Sequence, residues 1–189
     1  VVSGPRFFEQ AHIKDVMSIP RLLGNPSDKT AFLRLVMLFG GIGERTAEKM
    51  WEAMGGRFDV ADPKFHAFVR EKLRGKEPLE WDAIMKKASL PMKEIGELGG
   101  ILDEFVKVFY NKYAVNSFDD FERRIDDIYE LITYSRQFEN LESFLSDTAL
   151  MTNVDAEEDH HEKADRLSSI RLSTVHQAKG LEWRAVIVL

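Results

Sequence analysis

Apolar residues recur at intervals of three and four along most of this chain, the spacing that gives a helix one buried face. Phe8, His12, Val16, Ile19 and Leu23 share such a face, and Pro20 within the run predicts a kink or an early stop. Asn25-Pro26-Ser27-Asp28 is expected to end that helix and cap the next, whose stripe is Phe32, Leu33, Val36 and Met37. Gly40-Gly41-Ile42-Gly43 then breaks the pattern, and a helix restarts over Glu44 to Met54 until Gly55-Gly56. The unit reads as helix, hairpin, helix.

Asp62-Pro63 sets a cap and a first helical proline ahead of Phe65, Phe68, Val69 and Leu73. Leu79 to Ala88 predicts a further helix burying Trp81, Ile84 and Met85. Despite Gly96, Gly99 and Gly100, the residues Ile95, Leu98, Leu102, Phe105, Val106 and Phe109 keep helical period. Asn116-Ser117 is expected to cap a helix carrying Phe118, Phe121, Ile125, Ile128 and Ile132, with Arg123, Arg124, Asp126 and Asp127 on a solvated face. A short helix with Leu141, Phe144 and Leu145 follows. Asn153 to Asp165 then loses periodicity and gathers acids, which predicts a mobile linker.

Beyond the linker the period changes. Ile170 to Val175 alternates as a strand does, and Ala185-Val186-Ile187-Val188-Leu189 is a continuous apolar run of the kind buried in parallel sheets. Two strands make no stable sheet alone, and Val1-Val2 offers the nearest partner. The expected fold is therefore mainly α: a helical domain inserted between short pieces of an α/β domain. Both ends read as cut from a longer chain.

Composition supports a globular protein in water: of 189 residues, 44% are hydrophobic and 31% charged. With no cysteine, disulfide scaffolds, thiolate zinc sites and thiol nucleophiles are excluded. No apolar run approaches the ~20 residues of a membrane helix, and no signal peptide opens the chain, so a cytoplasmic location is expected. Twenty-six basic against 32 acidic residues give a net charge of −6, so any contact with nucleic acid has to be local. Asp159-His160-His161-Glu162 is read as solvated linker, and no metal site is expected.

Four stretches carry a resemblance. Thr174-Val175-His176-Gln177-Ala178-Lys179-Gly180-Leu181-Glu182-Trp183 resembles motif V of the UvrD/Rep-type superfamily 1 DNA helicases, and Gly4-Pro5-Arg6-Phe7-Phe8-Glu9-Gln10-Ala11-His12-Ile13-Lys14-Asp15 is similar to the segment that leads into that family's inserted subdomain. Gly41-Ile42-Gly43-Glu44-Arg45-Thr46 resembles the hairpin of the insertion, and Tyr134 to Leu141 its arginine-to-asparagine-leucine segment. They occur in family order and spacing. The resemblance implies that residues 1–8 and 167–189 belong to the second RecA-like motor domain, and that 9–166 form accessory subdomain 2B. His12 and Gly40 depart from the family's usual glutamate and arginine.

What the resemblance implies for function is an ATP-dependent helicase that moves on single-stranded DNA and opens duplex in repair or replication. Thr174 and His176 would meet the single strand, and Gly180 and Glu182 the nucleotide. Gly41, Ile42, Gly43, Arg45 and Thr46 would face duplex DNA. From spacing alone, Thr174 as a helix cap, His176 as a packed side chain and the glycines as an ordinary turn are equally open readings. No G-x-x-x-x-G-K-[ST] phosphate loop is present, so ATP and magnesium are expected in the intact parent and neither is expected to bind this chain tightly; the chain alone should be inactive. Two other readings stand beside this one: a protein-docking or autoinhibitory module, and part of a helicase-nuclease subunit.

Overall fold

A computed structural model describes residues 7–92 and 95–160, with side chains through residue 151. Among them every regular element is helical: α1 (Ala11–Gly24), α2 (Lys29–Met37), α3 (Glu44–Ala53), α4 (Pro63–Arg70), α5 (Glu77–Ala88), α6 (Gly96–Phe105), a π-helical turn (Val106–Tyr110), α7 (Asn111–Ser117), α8 (Phe121–Ser135) and α9 (Leu141–His160). The mainly α expectation holds. The α/β pieces expected at 1–8 and 167–189 lie, apart from Phe7 and Phe8, outside the described residues.

Local chemistry accounts for most boundaries. The Asp28 carboxylate accepts the Ala31 N–H at 2.9 Å and starts α2, and Asp62 does the same for Lys64 ahead of Pro63 in α4. Helix α1 does not stop at Pro20. A proline forfeits one N–H, and the helix closes beyond it with the Asn25 N–H on the Arg21 carbonyl at 2.8 Å, while Pro20 itself is buried.

Three other expectations are corrected. Leu35 rather than Met37 completes the buried stripe of α2; Met37, the last residue of that helix, is 40% exposed. Asn116 and Ser117 end α7 instead of opening α8, because the Asn116 amide bonds back to the Lys112 carbonyl at 2.7 Å; α8 starts at Phe121, and Phe118 is extended. Helix α9 runs on to His160 through part of the segment expected to be a linker, with neither glycine nor proline between Leu141 and His160 to stop it.

The core is aromatic. Phe39 stacks on Phe109 with ring centroids 4.3 Å apart and meets Trp81 edge-on at 5.5 Å; Phe32 packs against Trp51 and Phe58. Trp81 is fully buried, and its indole N–H donates to the His66 carbonyl at 3.1 Å. The π turn joins α6 to α7 and sets Tyr110 inward, where its hydroxyl donates to Asp15 of α1 at 2.7 Å. Arg34 of α2 donates to the other Asp15 oxygen at 2.7 Å, so the buried carboxylate ties three elements together.

Candidate functional site

The hairpin between α2 and α3 has a core-locked base and an open tip. Phe39 is 1% exposed and Ile42 4%, so the turn is pinned at both ends by buried side chains. Between them Gly40 donates its N–H to Glu77 Oε1 at 2.7 Å, and Gly41 takes φ +83°, a conformation that favours glycine. Gly43 is the N-cap of α3 with extended backbone, φ −88° and ψ 172°, which any residue can adopt. Side chains added at Gly41 or Gly43 would meet nothing within 4 Å.

Having no side chain, Gly43 cannot cap α3. Its carbonyl accepts the Thr46 and Ala47 N–H groups at 2.9 and 3.0 Å, and the amides of Glu44 and Arg45 are left without an acceptor among the described residues. These first amides, at the positive end of the helix dipole, form the kind of pair that receives a phosphate oxygen. Arg45, Thr46 and Lys49 are exposed around them, and Arg45 and Lys49 form no ion pair among the described residues. Glu44 is also exposed in the first turn and offsets part of that positive field.

Of the residues expected to face duplex, Gly41, Gly43, Arg45 and Thr46 thus come together on one exposed tip. Ile42 belongs to the core beneath it and fixes the tip's position. Thr174, His176, Gly180 and Glu182 lie outside the described residues, as do the side chains of Asp159-His160-His161-Glu162. Among the described residues no group of acids and histidines is arranged to hold a metal, and no helix is long and apolar enough to cross a membrane.

A second polar cluster is closed to solvent. His12 is fully buried; Arg124 Nη1 lies 3.0 Å from its Nδ1, and Asp127 Oδ2 lies 3.1 Å from its Nε2. Because a guanidinium can donate but not accept, Nδ1 is the acceptor and the ring proton sits on Nε2, donated to Asp127. Burial pushes the imidazole below its ordinary value and Arg124 adds to that, while Asp127 pulls the other way. Arg124 also lies over the Phe118 ring at 4.2 Å, and Arg123 pairs with Asp120 and Asp127 at 2.6 and 2.9 Å. Asp120 is held well below the usual carboxylate range, at about 2, by its bonds to Arg124 and Arg123. The face of α8 expected to be solvated is therefore spent largely inside the molecule. The sequence signal was a histidine in register with an apolar stripe; its partners, more than a hundred residues away, carried no signal.

A family model described as the UvrD-like helicase C-terminal domain matches residues 1–189. The ATP-dependent DNA helicase PcrA of Bacillus subtilis strain 168 is 26% identical over 201 residues, and DNA helicase II of Haemophilus influenzae is 27% identical over 217. DNA helicase II of Escherichia coli K12 is 26% identical over 201 residues. Each match takes in 100% of this chain and 27%, 27% and 28% of the respective relative, so the chain spans little more than a quarter of their length. No solved structure matches. With the family model covering every residue, the chain belongs to the UvrD-like helicase C-terminal domain family.

Proposed function

We propose that this chain is the duplex-facing part of an ATP-dependent DNA helicase, with α1 to α9 forming the inserted subdomain 2B and residues 1–8 and 167–189 contributing to the second motor domain. The observation that carries this reading is the hairpin tip. Gly43 has an ordinary backbone and open space around it, so nothing within the chain calls for glycine there. A bare N-cap makes sense if an outside group takes the place of the capping side chain, and a phosphate of the DNA backbone has the charge and acceptor oxygens to do so.

In the parent protein, ATP with magnesium supplies the driving free energy, and Gly180 and Glu182 are the residues of this chain proposed to hold the nucleotide. Thr174 and His176 would bond the backbone of the translocated single strand without reading its bases, as stepwise movement along any sequence requires. The hairpin meanwhile would hold the duplex ahead through Gly41, Gly43, Arg45 and Thr46, with Ile42 buried below as its anchor. Service in DNA repair or replication follows from this reading.

Titrating the chain with forked or duplex DNA at low salt tests the proposal. Weak, salt-sensitive binding is expected, and it should drop when Gly41 and Gly43 are both replaced by leucine. Binding indifferent to that change, or no binding by the unaltered chain, refutes the hairpin assignment.

A further inference from the structure

Between α4 and α5 the chain reads Lys72-Leu73-Arg74-Gly75-Lys76, three cations within five residues of a protein whose net charge is −6. Leu73 is buried and Gly75 takes φ +61°, so the loop turns about a fixed anchor. Lys72, Arg74 and Lys76 are exposed, and none of them forms an ion pair among the described residues. Arg70, just upstream, differs: Asp82 binds it at 2.8 Å. Lys72 lies over the Phe68 ring at 5.7 Å. Arg74 and Lys76 are left with their charge turned to water, where holding like charges close together gains nothing for the fold.

This loop adjoins the hairpin. One carboxylate, Glu77, accepts the Gly40 N–H on Oε1 at 2.7 Å and the Arg74 N–H on Oε2 at 3.4 Å. A Cβ at Gly40 would come 3.0 Å from Glu77 Oε1, so the bare glycine allows the two loops to close on that acid. Both Glu77 oxygens are engaged by backbone amides, and the acid acts as a strut between two exposed turns. One turn offers two open amides with Arg45 nearby, the other an arginine and a lysine.

We infer that Arg74 and Lys76 form a second contact for the sugar-phosphate backbone of duplex nucleic acid, held in register with the hairpin by Glu77. The inference rests on the duplex-facing reading of the hairpin and adds a site to it. Consecutive phosphates of one strand follow one another closely, so a rigid pair of neighbouring turns can engage several at once. Arginine can grip a phosphate through two parallel N–H bonds and lysine through a point charge, and neither contact at the backbone selects sequence.

The test measures duplex affinity against salt for the unaltered chain, the Arg74→Ala/Lys76→Ala variant, the Gly41→Leu/Gly43→Leu variant, and a control. In the control, Lys86→Ala/Lys87→Ala removes the same charge from exposed positions at the far end of α5, about 15 Å along the helix from Glu77. The expected result is weaker binding by the loop variant, with a log–log salt slope shallower by about 1 for each phosphate the loop no longer engages, and an unchanged slope in the control. In the unaltered chain, bound duplex should also shield Lys76 from an amine-reactive reagent and leave Lys86 and Lys87 reactive, which needs no variant to fold. If the glycine variant loses binding while the loop variant matches the control and Lys76 stays reactive, the inference falls and the hairpin reading survives. If the unaltered chain fails to bind duplex, or the glycine variant binds as it does, both fall.

Discussion

The packing of α6 on α8 and the tip between α2 and α3 both depend on glycine, for opposite reasons. At Gly99 in α6, an added Cβ would lie 3.2 Å from Arg136 Nε and 3.4 Å from Ile132 Cγ2, and the residue is buried. Its smallness is set by the neighbouring helix. At Gly43 the same addition touches nothing, the backbone is ordinary, and the residue is exposed. The contrast separates glycines explained by the protein's own packing from one that is not, and the second kind points outward.

The sharpest way to break this contrast is to attack the base of the hairpin instead of its tip. Phe39→Ala removes a ring stacked on Phe109 and set against Trp81, and should cost about 3–5 kcal/mol, read as a lowered urea midpoint. A loss much smaller than that would mean that the hairpin base is not part of the core. Next, Gly99→Leu should cost about 1–3 kcal/mol through overpacking against Ile132 and Arg136, measured by thermal melting; a neutral result would put Gly99 in the same class as Gly43.

A smaller effect should follow pH. His12 is pushed below its ordinary value of 6.5 chiefly by burial, with Arg124 contributing, and His66 is pushed below 6.5 by burial against its bond to the Val60 carbonyl. The unfolded chain therefore binds these protons more readily than the folded one. Stability should be full above pH 6.5 and decline as pH falls through 6.5 toward the lower folded values. Denaturant midpoints across this range should fall less steeply in His12→Gln; an unchanged slope would show that the buried imidazole is not kept neutral.

The smallest stability change is expected at the tip itself. Gly43→Ser supplies a capping hydroxyl to α3 and should leave stability unchanged or raise it by a few tenths of a kcal/mol, roughly the gain of serine over glycine at an N-cap. Duplex binding should nevertheless weaken, since the hydroxyl occupies amides meant for a phosphate. A variant that is both steadier and an equally good DNA binder would remove the reason for looking outside the chain.

Much of this architecture was legible in spacing. The buried faces of α1, α3 and α5, the caps at Asp28 and Asp62 and the break at Gly40 to Gly43 all follow from short-range chemistry that a sequence displays. Features that depend on distant partners were not. Nothing near Asn116 reveals that its amide will turn back to Lys112 and end a helix, and Glu77 carries no local mark of its bond to Gly40, 37 residues away. The hairpin residues were legible because they are contiguous, while the loop from Lys72 to Lys76 becomes part of the same surface only once α4 and α5 have packed. The openness of Gly43 is likewise a property of what surrounds it in space.

The π turn from Val106 to Tyr110 has a bearing on how this protein tolerates change in length. It carries one surplus residue in an otherwise α-helical path from Gly96 to Ser117, with Phe105 and Phe109 packed on each other and Tyr110 directed at Asp15. Deleting a single residue there would restore regular winding locally, yet rotate everything after it by about 100° about the helix axis. Tyr110 would swing away from Asp15, and the start of α8 would be carried off the histidine it shelters. A change that regularises the helix would thereby dismantle the assembly around it.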